Sequence, residues 1–370
     1  MSEKRVFSLD VFRGITIAGM ILVNNPGSWK YVYPPLRHAE WHGWTPTDLI
    51  FPFFLFIMGV ATTLSLSKRK EGGLSESKII HKIIRRSLIL FALGLILHLY
   101  PFFNFHLSRL RIPGVLQRIS LCYLFSSILF IKMRPRNLAI LTGIILIGYY
   151  LSMTFIPVPG YGAGNLTPEG NLASYIDRIV FKGTRLWQGS WDPEGILSTF
   201  PAIATTILGI FAGLLLKEKR KELNKFFKMI LIGIILALSG YLFSFLFPIN
   251  KNLWTSSYVL FTGGLAYIFL SLCFLIFDFY NLKKIGVPFV IFGVNPIAVY
   301  FLSGILTKTL ILIKIKSVAE TLSLYSWIFK NIFVPIAGNM NGSLLFAISY
   351  VLLWLGVMGI FYRLKIFIKI

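Results

Sequence analysis

Cysteine is nearly missing from this chain. Cys122 and Cys273 are the only two in 370 residues, and both fall inside apolar runs, where they read as packing residues and say nothing of redox compartment. Acidic residues are also scarce, 14 Asp and Glu against 37 Lys and Arg. No polar stretch is long enough for a separate soluble domain, so residues 1–370 read as one integral membrane domain. The apolar segments are continuous rather than alternating, which argues against barrel strands. The first apolar run lacks a small-residue cleavage pattern, so it is expected to act as an uncleaved signal anchor.

What the chain does have is hydrophobic length. Hydrophobic residues make up 56% of it, mean hydropathy is +0.74, and its apolar runs repeatedly reach the roughly 20 residues that a helix needs to cross the hydrocarbon core. About ten spans are expected, near 10–26, 47–67, 87–103, 113–131, 138–156, 194–216, 229–248, 255–277, 286–306 and 341–362. The fold class is therefore an all-α, multi-pass helical bundle. A net charge of +23 would suggest nucleic acid in a soluble protein, but in a membrane protein Lys and Arg collect in cytoplasmic loops. With the N-terminus inside, the inner segments hold 23 Lys and Arg and the outer ones 12. That asymmetry predicts both termini in the cytoplasm and the loop after the first span outside.

That loop holds the densest group of proton-handling side chains, within NNPGSWKYVYPPLRHAEWHGWTPTDLIFPFFLFIMG (24–59). Ionisable groups near a membrane are costly and are functional candidates by default, yet each also has a plainer reading. His38, among Arg37, Trp41 and Trp44, is either a solvated loop residue or a general base. His42 is a second face of the same site or merely surface. A His38–His42 metal pair has no evident third ligand, so no metal is expected. Asn24 and Asn25 end a helix or offer a carboxamide to an oxyanion. Asp48, after Thr45 and Thr47, caps the second span or orients a histidine.

Further candidates are spread along the chain. Asp10 and Arg13 form either an intrahelical pair or an anion site at the inner end of the first span. LRIPGVLQR brings Arg111, Gln117 and Arg118 to a helix start, where two arginines can hold a phosphate or carboxylate. DPEG sets Asp192 and Glu194 at the next helix start, suited to its dipole. PINKNLWTSSYV carries Lys251, Asn252, Trp254, Ser256 and Ser257. GVNPIAVY puts Asn295 inside a span, where Asn–Pro would break the helix. The loop 157–192, rich in Gly, Pro and aromatics, reads as an ordered lid or interfacial cap. The stretch 308–337 reads as an interfacial or re-entrant segment on the outer side.

Taken together and in order, RVFSLDVFRG, ILVNNPGSW, RHAEWHGWTPTDLIFPFFLFIMG, LRIPGVLQR, DPEGILSTFPAIATTILGIFAG, PINKNLWTSSYV and GVNPIAVY resemble the heparan-α-glucosaminide N-acetyltransferase family and its bacterial relatives. The resemblance covers nearly the whole chain. It implies a transmembrane acyltransferase that moves acetyl from cytosolic acetyl-CoA to the amino group of a glucosamine-type sugar across the membrane. It further implies that His38 is the active-site histidine and Asn24 the catalytic asparagine, with Glu194, Arg111 and Ser257 at the family's other motif positions. Where relatives have Trp-Asn-Gly, this chain has Trp41-His42-Gly43. The binding set expected with these comprises Asn25, Arg13, Trp41, His42, Asp48, Gln117, Arg118, Lys251, Asn252, Trp254 and Asn295. The nucleotide end of the donor is expected near the basic segment 217–228.

The expected setting is a bacterial inner membrane, and the expected partners are acetyl-CoA, an amino-sugar or glycan acceptor and membrane lipid, with a homodimer left open. Two other functions stay open at this point: a sugar permease or exporter, and an O-acyltransferase of envelope glycans. Transporters often show repeated halves with matching broken helices, and no such repeat is visible here.

Overall fold

A computed structural model describes residues 6–102, 110–182, 185–187, 189–316 and 321–368. Among them, helices dominate: α1 (Phe7–Asn24), α2 (Ile50–Glu71), α3 (Glu76–Leu99), α4 (Val115–Lys132), α5 (Pro135–Phe155), α6 (Leu172–Phe181), α7 (Ile196–Lys217), α8 (Glu222–Phe243), α9 (Ser256–Cys273), α10 (Lys283–Val294), α11 (Pro296–Leu312), α12 (Leu324–Ile328) and α13 (Val334–Arg363). The strands, β1 (Lys314–Lys316) and β2 (Thr321–Ser323), form a small antiparallel hairpin with Ile315 opposite Leu322.

Each of the ten expected spans falls on a helix. Among the described residues eight helices are long and apolar enough to cross a membrane, and α10 with α11 makes a ninth if that bent pair counts as one span. The tenth expected span lies on α3, whose first half (ESKIIHKIIRR) carries too much charge to qualify. The break between α10 and α11 is the Asn–Pro site, where the axis turns by 68°. Pro296 has no N–H for the ladder, so the helix restarts there. The 308–337 stretch divides into the end of α11, the hairpin, α12 and the start of α13, which kinks at Gly338 (φ 73°). Its residues 317–320 lie outside the described set, as do 183, 184 and 188 of the expected lid.

Burial separates core helices from lipid-facing ones. α7 is the central helix, with 83% of its apolar window buried, whereas α8 has only 17%. Its outward Leu231, Ile234, Ile235 and Leu238 present the apolar surface that acyl chains require. α7 lies so close to α2 because two glycines face across the seam. A Cβ on Gly59 would stand 2.0 Å from the Thr206 carbonyl, and one on Gly209 would stand 1.9 Å from that of Phe56. Small residues allow this backbone approach where lipid offers helices no hydrophobic drive to associate.

Successive spans run up and down, so one end of the bundle gathers the loop around His38 and the other gathers the 71–76, 132–135 and 217–222 turns. We expect Gly209→Val to push α7 off α2 at a cost of roughly 1–3 kcal/mol or more. Gly143→Ala, with nothing within 4 Å of the new methyl, should be neutral. Thermal unfolding in detergent compares the two directly.

Candidate active site

The site begins with the end of α1. Asn25 leaves helical geometry and turns its side chain back, donating to the Ile21 carbonyl at 2.8 Å, while Thr307 of α11 donates to its Oδ1 at 2.6 Å. The chain then crosses to α2 through two short 3₁₀ turns, Pro34–Leu36 and Pro46–Leu49, each opened by proline. The loop closes on itself: Arg37 donates to the Val32 carbonyl, Thr45 to that of Arg37 and Thr47 to that of Pro35.

Asp48 is the hub of that loop. Its Oδ2 accepts from the backbone N–H groups of Ala39 and Thr45, both at 3.0 Å, and from the Thr45 hydroxyl at 3.2 Å. Its Oδ1 lies 2.6 Å from His38 Nδ1. The expected alternatives, cap or orienting partner, are thus both realised by one carboxylate. Only the ionised group can accept at all these positions. His38 Nδ1 must therefore carry its proton toward Asp48, which leaves Nε2 as the basic nitrogen. Asp48 is buried (side chain 1% exposed) and His38 is open (42%), so the dyad has a sealed rear and an accessible front.

Lys251 completes the cluster, its Nζ 2.9 and 3.2 Å from the two ring nitrogens and 3.5 Å from Asp48 Oδ1. Burial lowers the Lys251 ammonium below the ordinary lysine range, against the pull of Asp48 and Glu194. The turn that presents it is pinned from several sides. Asn250 Oδ1 accepts from Leu253 N, Thr255 Oγ1 accepts from Asn250 N, and Ser257 donates to the Phe247 carbonyl. Trp254 sits at φ 52°, a left-handed conformation costly for a bulky residue. Its indole N–H donates to Thr205, and its ring packs edge-on against Phe51 and Tyr258, which hold that backbone in place.

Opposite stands a second charged group. Arg111 directs Nε and Nη2 at the two Asp192 oxygens, both at 2.7 Å, and Nη2 also reaches Glu194 at 2.5 Å. Burial alone would lower the Arg111 guanidinium, yet the two carboxylates hold it above its usual value. Burial raises the Glu194 carboxyl, with Arg111 pulling the other way. The Trp187 ring lies 5.0 Å from the guanidinium.

These groups line a cavity of about 650 Å³. Asn24, Asn25, His38, Arg111, Glu194, Lys251 and Asn252 of the expected set reach it, with Asp48 directly behind His38. Trp187 and Trp191 of the 157–192 loop also line it and were not singled out from the sequence. Their signal was present, since SWDPEG and RLWQGSW set two indoles a few residues before Glu194.

Other expected residues are elsewhere. Trp41 donates to the Leu166 carbonyl and packs on Trp191, while His42 lies 3.4 Å from the Asn250 amide, so both dock the loop rather than face the cavity. Burial lowers the pKa of His42. Gln117, Arg118, Trp254 and Ser257 are buried in the scaffold. Arg118 donates to Gly195 and Ser198, and Arg111 is already filled by carboxylates, so the reading of the two as one exposed anion clamp is corrected. Asn295 is not among the residues around His38: it bonds Ile366 and Ile368 of the C-terminal segment.

Arg13 lines a second cavity of about 330 Å³ with Arg69 and Arg86. The same helices wall both cavities: α2 through Phe51 and then Phe54, α3 through Leu97 and then Leu90, α4 through Val115 and then Ile119, α11 through Tyr300 and then Ile297. The two cavities thus follow one another along the same four helices, a His–Asp–Lys cluster in one and three arginines in the other. The expected donor segment 217–228 lines neither. Its Lys217, Lys225 and Lys228 are engaged by Glu71, the Leu216 carbonyl and Glu218.

A helical membrane bundle with a histidine–carboxylate dyad opening on a cavity between its helices defines a multi-pass membrane protein with an enzyme-like site. Residues 5–246 match the family model described as heparan-alpha-glucosaminide N-acetyltransferase, catalytic, and the chain belongs to that family. It is 33% identical over 353 residues to heparan-alpha-glucosaminide N-acetyltransferase of Mus musculus, covering 81% of this chain and 53% of that protein. With the Homo sapiens protein of the same name it is 33% identical over 350 residues, 80% of this chain and 52% of that one. The chain spans about half the length of these relatives.

The cap beside the site also carries a titration. Asp177 of α6 is buried, accepts from Ile196 N at 2.8 Å, and faces Gly195, where a Cβ would stand 1.8 Å from its Oδ2. Burial pushes its carboxyl up to about 7, with the Ile196 N–H opposing. A folded-state pKa raised above the unfolded one means that stability is lost as pH rises through about 7. The melting temperature should fall as pH rises from about 4 to about 7 and level off above that, and Asp177→Asn, which keeps the acceptor oxygen, should flatten that fall.

Proposed function

We propose that this protein is a transmembrane N-acetyltransferase that moves acetyl from acetyl-CoA to the amino group of a glucosamine-type sugar. The observation that carries this reading is the His38–Asp48 dyad with Lys251, in a cavity whose wall helices continue into a second cavity lined by Arg13, Arg69 and Arg86. Along α2 the two cavities together extend from Ile50 to Arg69, about 30 Å at 1.5 Å per residue, or one hydrocarbon core. The arginines suit the phosphates of the donor. The apolar walls between the two cavities suit its uncharged arm. The excess of Lys and Arg at the arginine end supports a cytoplasmic position for that end, and a bacterial inner membrane fits the chain.

The acceptor ammonium first releases one proton to solvent; as the neutral nitrogen then attacks the thioester carbonyl, His38 Nε2 accepts a second proton from it. Asn24 and Asn252, both facing the cavity, are placed to donate to the oxyanion of the tetrahedral intermediate. The new C–N bond stays, the C–S bond breaks, and the imidazolium returns its proton to the leaving sulfur. Asp48 stabilises that imidazolium and fixes its tautomer. Before the acceptor arrives, Lys251 fills its position with an ammonium of the same charge. Glu194, with Trp187 and Trp191, frames the acceptor side. An acetyl-His38 intermediate would use the same contacts.

The test is proteoliposomes with acetyl-CoA on one face and glucosamine on the other. His38→Ala should stay folded and lose at least about 10²-fold in transfer. Asp48→Asn should keep one acceptor oxygen for the Ala39 and Thr45 N–H groups, yet lose much of the rate. Sugar accumulating without acetylation would indicate a permease instead. Acetyl found on a hydroxyl would indicate an O-acyltransferase.

A further inference from the structure

A third cavity, of about 480 Å³, lies at the end of the bundle away from His38, where the α2–α3 turn meets the α4–α5 turn. Its walls are aliphatic and aromatic: Leu66, Ile79, Phe130, Ile131, Leu138 and Leu214. Its rim is basic, with Lys70, Lys132 and Arg134 against a single acid, Glu76, which pairs with Lys132. Lys132 and Pro135 are the boundary residues of two candidate spans, so the rim stands at headgroup level and the apolar floor lies below it.

An apolar floor under a cationic rim at a bilayer boundary is complementary to an amphiphile with an anionic head. Basic pockets between transmembrane helices bind acidic lipid headgroups for this reason. The acetyl donor also carries phosphates, but this cavity opens on the opposite side of α2. Leu66, Ser67 and Lys70 line it, whereas Met58, Ala61, Thr62, Ser65 and Arg69 line the arginine cavity. A ligand anchored here would have α2 between it and His38. We propose that this cavity is a binding site for an anionic phospholipid, whose headgroup is held by Lys70, Lys132 and Arg134 and whose acyl chain covers the floor. Such a lipid would tie the α2–α3 and α4–α5 turns together and stabilise the bundle from the end opposite the catalytic cluster.

The experiment is thermal unfolding of the purified full chain in neutral detergent, titrated with phosphatidylglycerol or with phosphatidylcholine of the same acyl chains. Phosphatidylglycerol should raise the melting temperature at concentrations where phosphatidylcholine does not. In Lys70→Gln/Arg134→Gln, half-maximal stabilisation should need roughly tenfold more phosphatidylglycerol or beyond. Lys283→Gln/Lys284→Gln, which removes the same charge elsewhere on that end, should behave like wild type. Leu74→Trp, which fills the cavity and leaves the rim charges, should also abolish the lipid-specific shift. Equal shifts with the two lipids, or an unchanged titration in the Lys70/Arg134 variant, would overturn the proposal. So would loss of acetyl-CoA stabilisation in that variant with the lipid response intact, since the cavity would then serve the donor.

Discussion

The arrangement depends first on the ionisation of Asp48. One buried carboxylate collects two backbone N–H groups, a threonine hydroxyl, an imidazole and a nearby ammonium. Charge-assisted hydrogen bonds are roughly twice as strong as neutral ones. Removing one member of such a buried cluster leaves the rest uncompensated, a loss of about 3–5 kcal/mol in comparable settings. The loop between α1 and α2 has only two short 3₁₀ turns of regular structure, so this polar centre, with the packing of Trp41 and Trp44, sets its shape. The same bonds that fold the loop set the histidine tautomer. Fold and chemistry here share one cause.

A second constraint is that charges at membrane depth must be neutralised locally. Arg111 meets this with Asp192 and Glu194, and Arg13 with Asp10 and the Gly293 carbonyl. Each neutralisation also joins distant parts of the chain. Arg111 ties the start of α4 to that of α7, and Arg13 ties α1 to the end of α10. The two cavities are therefore braced by the ion pairs that line them, while the α2–α7 glycine seam gives them a rigid wall.

The sequence was most legible where physics acts over long runs. Twenty-residue apolar stretches declared the spans, and each expected span lies on a helix. His38, Asn24, Lys251 and Glu194 stood out because polar residues at span ends are conspicuous, and all of them reach one cavity. What was hidden depended on pairing across the chain. Nothing local in LRIPGVLQR reveals that Arg111 meets Asp192 some eighty residues later, or that Arg118 turns inward. The Asn295–Pro296 pair announced a broken helix, but its partners at 366 and 368 could not be read from spacing. Trp187 and Trp191 were missed because aromatic residues in a long loop look like interfacial anchors until a cavity is seen beside them.

Lys251 joins the resting structure to the proposed reaction. An ammonium already lies against His38, within reach of Asp48 and drawn by Glu194, which is where the cationic acceptor amine must arrive. Two ammonium groups cannot share that space at low dielectric without several kcal/mol of repulsion. The acceptor must therefore displace Lys251 or find it deprotonated, and burial shifts the lysine in the direction of the second. A neutral Lys251 would relieve the repulsion and leave Nε2 free for the incoming amine. The lysine thus holds the empty site in the charge state of the loaded one, so little reorganisation remains when the acceptor binds, which is the condition under which fixed dipoles act most strongly on a transition state.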